Sequence, residues 1–236
     1  TVLRDDPSRP YTAHRARLYT PAELFAGFSP DTPGSSWEDT FDGAVFRWCQ
    51  EHGGAQPDTI AESLAQRLHD HSIAESLDSA LVGTLPVAIM GGHSLLRGSP
   101  QYALVAEIAR QLTRDGFLLL SGGGPGAMEA THLGAWMAEA PDDALAEALA
   151  ILAPRPVGSP PGQEYADADW LHRAWAVRQR WPNGAGNPSI GIPTWVYGHE
   201  PPAAFAGQVA KYFANSVREE GLLALATYGV VFTPGS

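Results

Sequence analysis

The sequence contains one cysteine, one lysine and no long hydrophobic run, and each scarcity excludes something. Cys49 has no partner for an intrachain disulfide. No apolar stretch approaches the roughly 20 residues of a membrane span. The N-terminus is too polar for a secretory signal. We therefore expect a cytoplasmic protein that has no membrane partner.

Basic residues are also scarce: 15 Lys and Arg stand against 26 Asp and Glu, which gives a formal net charge of −11. Proteins that bind nucleic acids or anionic membranes use surplus cations, so this balance argues against both. A small anion held by backbone dipoles stays compatible with it. The hydrophobic content of 44% over 236 residues is ample for a core.

We divide the chain into an N-terminal extension, residues 1–82, and a Rossmann-like domain, residues 83–236. Residues 1–57 are rich in Pro, Gly, Asp and aromatics, which predicts irregular structure that packs on a larger body. A helical insertion is expected at about 140–185. The chain begins without Met and stops at Thr-Pro-Gly-Ser directly after an apolar run. We expect both ends to be boundaries within a longer protein.

The second half of the extension is predicted to be helical. Thr59 and Glu62 have capping-box spacing, and apolar residues at Ile60, Leu64 and later positions fall on one face. The triplet at 69–71, His-Asp-His, lies in this helix. Because alternate residues of a helix point apart, we interpret the triplet as a solvated face and not as a metal site.

Two strand-turn-helix units follow in immediate succession. Residues 85–92 form a short apolar run that ends in glycines, and Ser99-Pro100 is a good start for a helix that Gly116 ends. The next strand begins at Phe117, and a helix follows over about 126–138. The pattern predicts a doubly wound parallel α/β sheet with both glycine clusters at carboxyl ends of strands, where such folds bind ligands.

The remaining segments repeat this pattern. An apolar stripe predicts a helix in the insertion, and its members are Trp170, Leu171, Ala174, Val177 and Trp181. Residues 189–198 are predicted as a third strand, 201–221 as a helix closed by Gly221, and 222–235 as a fourth strand.

The glycine cluster at 122–124 resembles a phosphate-binding turn that lacks the usual lysine. Gly122, Gly124 and Ala127 fit G-x-G-x-x-A, but the acidic residue expected about 20 positions later in a dinucleotide site is missing. A Walker A motif would need Lys-Ser/Thr where Ala127-Met128 stands. Alternatively, the glycines permit close strand-helix packing, with Glu129 favouring the positive helix end.

A second informative stretch lies at 211–218. Lys211, Asn215 and Arg218 are spaced four and three apart, so the predicted helix places them on one face beside an apolar stripe. They could form a functional face or a solvated one, with Glu219 and Glu220 as further surface charges.

Together these segments resemble the Lonely Guy (LOG) family of Rossmann-fold proteins, often labelled "possible lysine decarboxylase". The similarity covers about Leu85 to Ser236 and is greatest for the longer bacterial members, which carry an N-terminal extension. The family's GGGxxGxM turn is matched at Gly122–Gly124, Ala127 (often Gly in the family) and Met128. Its PGGxGTxxE motif resembles Pro234-Gly235-Ser236, with Ser for the second Gly; the rest of the motif, including its catalytic glutamate, has no counterpart in this sequence.

The resemblance implies hydrolysis of the N-glycosidic bond of nucleoside 5′-monophosphates, such as AMP or a cytokinin riboside monophosphate. The products would be free base and ribose 5-phosphate. It implies catalytic roles for Arg218 and, less directly, Glu219, which stands where some members have lysine. The nucleotide-binding residues expected on this basis are Gly92, His93, Arg97, Ser121, Gly122, Gly123, Gly124, Gly126, Ala127, Met128, Glu129, Asn215, Pro234, Gly235 and Ser236.

Some roles stay open. His93 is either a ligand contact or a capped turn residue, and Tyr102 either stacks on a base or belongs to the core. We expect no metal, no cofactor and no nucleic-acid partner. The resemblance implies a homodimer or a higher homo-oligomer.

Three other functions are compatible with parts of the sequence. A structural or assembly role would draw on the acidic surface and the Trp-rich insertion. Pyridoxal-dependent decarboxylation needs a Schiff-base lysine, and Lys211 is the only lysine, within the proposed arginine helix. The alternative that we retain is a non-catalytic nucleotide-binding or cofactor-carrier protein.

Overall fold

A computed structural model describes residues 6–153, 169–195 and 201–234, except for the side chains of residues 183, 185 and 216–220. The described residues form a five-stranded, all-parallel sheet with helices on both faces. The strands are β1 (Pro86–Met90), β2 (Leu118–Ser121), β3 (Ser189–Gly191), β4 (Gln208–Val209) and β5 (Gly229–Phe232). The helices are α1 (Pro21–Leu24), α2 (Phe41–Glu51), α3 (Ile60–Leu81), α4 (Pro100–Arg114), α5 (Ala127–Trp136), α6 (Ala144–Leu152), α7 (Asp169–Arg180) and α8 (Ser216–Leu225). This architecture confirms the predicted Rossmann-like, doubly wound α/β fold.

The strand order places the crevice expected of a doubly wound sheet next to β1. The order is β4-β3-β2-β1-β5, so the chain moves outward from β1 to β4 and then crosses back to β5 on the other side. Val87 pairs with Gly229 and Met90 with Phe232, which aligns the carboxyl ends of β1 and β5. Ligands of such folds bind outside the carboxyl ends of strands where the order reverses.

Local signals for two helices act as the sequence predicts. The Thr59 hydroxyl accepts the Glu62 backbone N–H at 3.1 Å and begins α3. Ser99 likewise accepts the Tyr102 N–H at 3.2 Å, and Pro100 occupies the first position of α4. Each cap satisfies a backbone donor that has no partner within its helix.

Each face of the sheet has its own core. One is formed by the N-terminal segment with α2, α3 and α8, and it includes Tyr19, Ile73 and Leu222 against Leu118 and Leu120 of the sheet. The other is formed by α4 to α7 against Val87, Ile89 and Leu119. Residues before β1 therefore share a core with the sheet, and α6 and α7 lie within the segment 140–185.

The predicted helix over 201–221 is wrong. Residues 201–206 lack regular structure, β4 follows, and α8 begins only at Ser216 and continues past Gly221 to Leu225. Nearly every residue from 201 to 213 is buried, and a short, fully buried apolar run has no periodicity that separates helix from extended chain. Gly207 packs closely against the chain before β3, because a Cβ there would lie 2.5 Å from the Asn187 carbonyl oxygen.

Two strand boundaries also differ from prediction. The third strand ends at Gly191, although Thr194 still bridges to Tyr212; residues 196–198 of that prediction lie outside the described part. The fourth predicted strand begins too early, since residues 222–225 complete α8 and only Gly229–Phe232 pair with β1.

The extension holds two further surprises. Irregular structure was expected up to residue 57, but Phe41–Glu51 form α2, capped by the Thr40 hydroxyl. The expected solvated face at 69–71 is wrong for two of its three residues. His69 and Asp70 are buried, and only His71 is exposed. Burial is possible because both side chains have polar partners within the core.

No described helix has both the length and the apolar character needed to cross a bilayer.

Candidate functional site

Three loops meet at the carboxyl edge of the sheet beside the crevice. The Ala127 backbone N–H donates to the Gly92 carbonyl at 3.1 Å, which joins the β1 loop to the start of α5. A Cβ on Gly91 would lie 2.0 Å from Thr233 Oγ1 and 2.7 Å from the Ala127 Cβ. Since Thr233 directly follows β5, the ends of β1 and β5 and the turn after β2 converge at one place.

The turn from Gly122 to Gly126 needs glycine at two positions for steric reasons. Gly123 has φ +72°, and a Cβ there would lie 2.8 Å from the Pro193 ring. Gly126 has φ +70°, and its Cβ would lie within 2.7 Å of the backbone of Gly92 and His93. Both conformations belong to the left-handed region that favours glycine. Close packing explains these two glycines, so packing alone accounts for part of the motif.

The turn also contains backbone hydrogen-bond donors without acceptors, and close packing does not explain them. All ten residues of α5 are buried, and so are Gly122–Gly126 before it. Within the described part of the chain, the N–H groups of Gly122, Gly123, Gly124 and Gly126 donate no hydrogen bond. Buried backbone donors are nearly always paired, so this cluster has an unmet need for an acceptor. The positive end of the α5 dipole adds to it.

Ser121 brings a side-chain group to the same position. Leu119 faces the α5 side of the sheet, and alternation along β2 puts Ser121 on that side too. Its hydroxyl is fully buried and has no hydrogen-bond partner among the described residues. A hydroxyl that precedes a row of free N–H groups can donate to an anion, and the arrangement is therefore suited to an oxyanion such as phosphate.

The segment that covers the turn is the one predicted as a helix. The Ala203 N–H donates to the Gly123 carbonyl at 2.6 Å, and residues 201–206 are all buried. This bond occupies a carbonyl oxygen that would repel an anion. The N–H group of the same peptide, that of Gly124, donates no hydrogen bond among the described residues.

Arg97 and Glu129 pair with each other and are not open to a ligand. Arg97 Nε lies 2.7 Å from Glu129 Oε2, the Tyr102 hydroxyl donates to the same oxygen at 2.9 Å, and Arg97 Nη1 donates to the Trp170 carbonyl. Both charged side chains are at most 2% exposed. Burial raises the pKa of Tyr102 well above its usual value, which keeps it a donor. The cluster joins the β1 loop, the first turn of α5 and α7, and it places Tyr102 in the core.

The other predicted site residues fall into three groups. His93 is exposed at the loop after β1, and Met128 is buried in the first turn of α5. Asn215 directly precedes α8, and its Oδ1 is buried without a partner among the described residues. The side chains of Arg218 and Glu219, and all of Gly235 and Ser236, lie outside the described part; Pro234 is exposed.

The predicted shared face of Lys211, Asn215 and Arg218 is wrong, because Lys211 precedes α8. Its ammonium is buried and forms an ion pair with Asp42 of α2. Asp42 also accepts from the indole N–H groups of Trp195 at 2.9 Å and Trp37 at 2.7 Å. The lysine thus anchors the extension to the sheet layer.

Sequence reasoning missed His132 and Thr233. Burial lowers the pKa of His132 to about 3, and neither ring nitrogen has a hydrogen-bond partner among the described residues. Its Nε2 would lie 3.3 Å from a Cβ on Gly191, so it packs behind the turn. A histidine inside the apolar run of α5 was the available signal. Thr233 carried no sequence signal other than its place at the end of an apolar run.

Among the described residues, no group of three or more His, Cys, Asp and Glu side chains could hold a metal ion. The chain matches no protein-family model, and the search of curated proteins returned no match either.

Proposed function

We propose that the protein hydrolyses the N-glycosidic bond of nucleoside 5′-monophosphates, with AMP as the reference substrate. The observation that carries the proposal is the cluster of unpaired N–H groups at Gly122–Gly126, with the Ser121 hydroxyl, at the amino end of a buried helix. A phosphomonoester supplies the acceptors that these donors need, and no lysine is required. The sequence resemblance to the LOG family supplies the reaction.

In this reaction water adds to C1′ of the ribose while the C1′–N bond breaks. The base leaves with a proton, and ribose 5-phosphate remains. The transition state carries positive charge on the sugar, so a carboxylate is needed to stabilise it and to activate water. Glu129 does not fit this role, because Arg97 and Tyr102 already hold both of its oxygens. The resemblance assigns the role to the motif that Pro234 begins, after β5.

The strand order supports this assignment. Thr233 lies beside Gly91 at the reversal between β1 and β5, so a carboxylate that follows Pro234 in the chain would lie near the β1 loop and the turn. A helix that connects parallel strands runs antiparallel to them, which puts the amino end of α8, with Asn215, at the same edge. We assign Arg218, in the first turns of α8, to the phosphate or to the carboxylate.

The direct test is base release by the full-length natural protein. We would incubate it with AMP and then with other nucleoside 5′-monophosphates, and measure free base and ribose 5-phosphate by chromatography. Equimolar release of both products is expected. Arg218→Ala should lower the rate by about 10²-fold, as expected for loss of a charge-stabilising donor. Arg67→Ala, at an exposed position of α3, is the matched control and should retain full activity.

A non-catalytic nucleotide-binding role is the second candidate. It is favoured by the mutual pairing of Arg97 and Glu129, which leaves the buried charges of the turn region already neutralised. Saturable AMP binding without base release by the full-length protein would establish this role and overturn the hydrolase.

Pyridoxal-dependent decarboxylation has no support at Lys211. The ammonium is 1% exposed and paired with Asp42, so a cofactor aldehyde has no access to it without loss of that pair.

The resemblance also leads us to propose a cytoplasmic homo-oligomer with its sites near the subunit interface. Exposed apolar side chains at Leu223, Tyr228 and Phe232, around the outer strand β5, offer surface for such contacts. A strictly monomeric protein in light scattering would contradict this part of the proposal.

A further inference from the structure

Two adjoining cavities open at the amino edge of the sheet, opposite the glycine turns. The first, of about 420 Å³, lies between residues 14–18 and α3. The second, of about 430 Å³, lies where α3 ends and where β2, β3 and β4 begin. Ala80 and Gln208 line both cavities, so the two form one groove. Gln208 is the first residue of β4, which fixes the groove at the edge away from the crevice.

The first cavity has a cationic wall. The Arg15 backbone N–H donates to Ser72 Oγ at 3.0 Å, and its guanidinium lies 3.6 Å over the Tyr19 ring and 3.2 Å from Glu23. These contacts fix one guanidinium in place. The Arg17 side chain is 78% exposed and shares the same Glu23 oxygen at 3.4 Å. It can therefore turn toward a ligand at little cost.

Hydroxyl groups form the facing wall. Ser72, Ser76 and Ser79 are spaced four and three residues apart on α3, so they share one face of that helix, and all three line the cavity. Glu75 lines it as well, but its Oε1 lies 3.5 Å from His71 Nε2. The Ser72 hydroxyl donates to the His69 carbonyl and the Ser79 hydroxyl donates to the Glu75 carbonyl, both at 2.8 Å, so Ser76 is the serine of this wall whose proton is open to a ligand among the described residues. The lining thus offers two guanidinium groups, one donor hydroxyl and the Glu75 carboxylate.

The second cavity has a more apolar lining than the first. Leu118, Ile190 and Pro188 line it together with Ala80, which gives the far end of the groove an apolar surface. A ligand that fills both parts must carry a charged head and an apolar body. Guanidinium groups recognise oxyanions through paired hydrogen bonds. Arg15 and Arg17 share one carboxylate, that of Glu23, so the two arginines keep one positive charge beyond this pairing, and that charge can attract an anion.

We propose that this groove binds a phosphomonoester with an apolar body. The phosphate meets Arg15 and Arg17 and accepts from the Ser76 hydroxyl, and the body lies toward Leu118 and Ile190. A phosphate has three terminal oxygens and matches two guanidinium groups plus one hydroxyl better than the two oxygens of a carboxylate do. The site is separate from the glycine turns and does not depend on the proposed hydrolase activity.

Phenyl phosphate is a suitable probe because it combines the two parts. In a titration followed by two-dimensional NMR, saturable shifts are expected at the backbone amides of Ala16, Ser76 and Gln208. Inorganic phosphate should bind at the same residues but more weakly, because it lacks the body. Arg17→Ala should weaken phenyl phosphate binding by about tenfold, the loss expected for one charge-assisted hydrogen bond. Arg67→Ala, on α3 but outside the groove, should leave the affinity unchanged.

A cavity-filling change provides a test that does not remove charge. Ser76 is half-buried on the groove wall, so Ser76→Phe should abolish binding while the rest of the amide spectrum keeps its dispersion. The proposal is overturned if neither Arg17→Ala nor Ser76→Phe changes the affinity. It is also overturned if no saturable shift occurs, or if the shifts are confined to residues 122–128, which would place the phosphate at the glycine turn instead.

Discussion

His132 is a histidine in an environment that permits only its neutral form. It is fully buried in α5, and burial lowers its pKa to about 3. In the unfolded chain its pKa is about 6.5. Between these two values the unfolded state binds a proton that the folded state does not. The free energy of unfolding contributed by this group is therefore fully present above about pH 6.5 and is lost as the pH falls below it.

Replacement of His132 by leucine should remove this dependence. Between pH 7 and pH 5 the wild-type protein should lose about 2 kcal/mol more unfolding free energy than His132→Leu, at about 1.36 kcal/mol per pH unit. Urea denaturation at the two pH values measures the difference. His71→Leu, at an exposed position of α3, should follow the wild type. Parallel pH dependences for wild type and His132→Leu would contradict the assignment.

Gly126 and Gly116 distinguish two reasons why a position requires glycine: a positive φ alone, and a positive φ combined with steric crowding. Both have positive φ, +70° and +89°, but a Cβ on Gly126 would lie 2.6 Å from the Gly92 carbonyl oxygen, whereas a Cβ on Gly116 meets nothing within 4 Å. Gly116→Ala should cost about 1 kcal/mol, from the backbone conformation alone. Gly126→Ala should cost about 1–3 kcal/mol more, because the backbone must shift. Equal losses in urea denaturation would show that the turn is less tightly packed than described.

At the level of elements, α3 of the N-terminal extension positions the entry to α8. Asp70 Oδ1 accepts the Phe213 N–H and Oδ2 accepts the Ala214 N–H, both at 2.8 Å. His69 Nδ1 lies 3.3 Å from the same carboxylate, and His69 Nε2 lies 2.9 Å from the Tyr19 hydroxyl. Desolvation lowers the pKa of His69, against the opposing effect of Asp70. A buried network thus links the extension to the helix that carries Arg218.

Asp70→Asn should break this link, because an amide nitrogen then faces a backbone N–H. We expect a loss of about 1–3 kcal/mol in unfolding free energy, the cost of a buried donor left unpaired. Faster hydrogen exchange at Phe213 and Ala214 should accompany it. Asp78→Asn, exposed on the same helix, serves as control and should change neither quantity. Unchanged exchange at these amides in Asp70→Asn would rule out the positioning role.

The elements that the sequence predicted well carry their own local signals. The caps at Thr59 and Ser99 and the glycine-ended strands β1 and β2 depend on residues within a few positions. They sufficed for the fold class. The segment at 201–213 was misread because its burial depends on contacts with β3 and the glycine turn, residues distant in sequence. The polar, buried face of α3 was missed for the same reason: the partners of His69 and Asp70 lie about 50 and 143 residues away.

In the candidate site, too, the local features were predicted from the sequence and the long-range contacts were not. Its glycines and Ser121 were predicted correctly as a turn at a strand end, because the motif is local. The pairing of Arg97 with Glu129 was not, since it joins residues 32 positions apart, and periodicity does not show which side chains will neutralise each other. The shared face of Lys211 and Asn215 failed because it assumed a helix that begins later in the chain.

Across the whole molecule, the attraction for an anion comes from backbone dipoles and not from a surplus of basic side chains. The chain carries a net charge of −11, yet the glycine turn gathers unpaired N–H groups at a helix start beside the crevice between β1 and β5. Such a site attracts an anion locally without a basic surface. The amino-edge groove uses arginines instead, so the two proposed sites lie at opposite edges of one sheet and respond to different substitutions.

The most direct test of the account is an AMP titration of this chain followed by the backbone amide signals of Gly122, Gly123 and Gly124. We predict saturable downfield shifts at these amides, as expected for N–H groups that gain a charged acceptor, and their loss in Gly126→Ala with the fold retained. The absence of saturable shifts at these three glycines, or shifts confined to Ala16, Ser76 and Gln208, would contradict the assignment of the turn as the phosphate site.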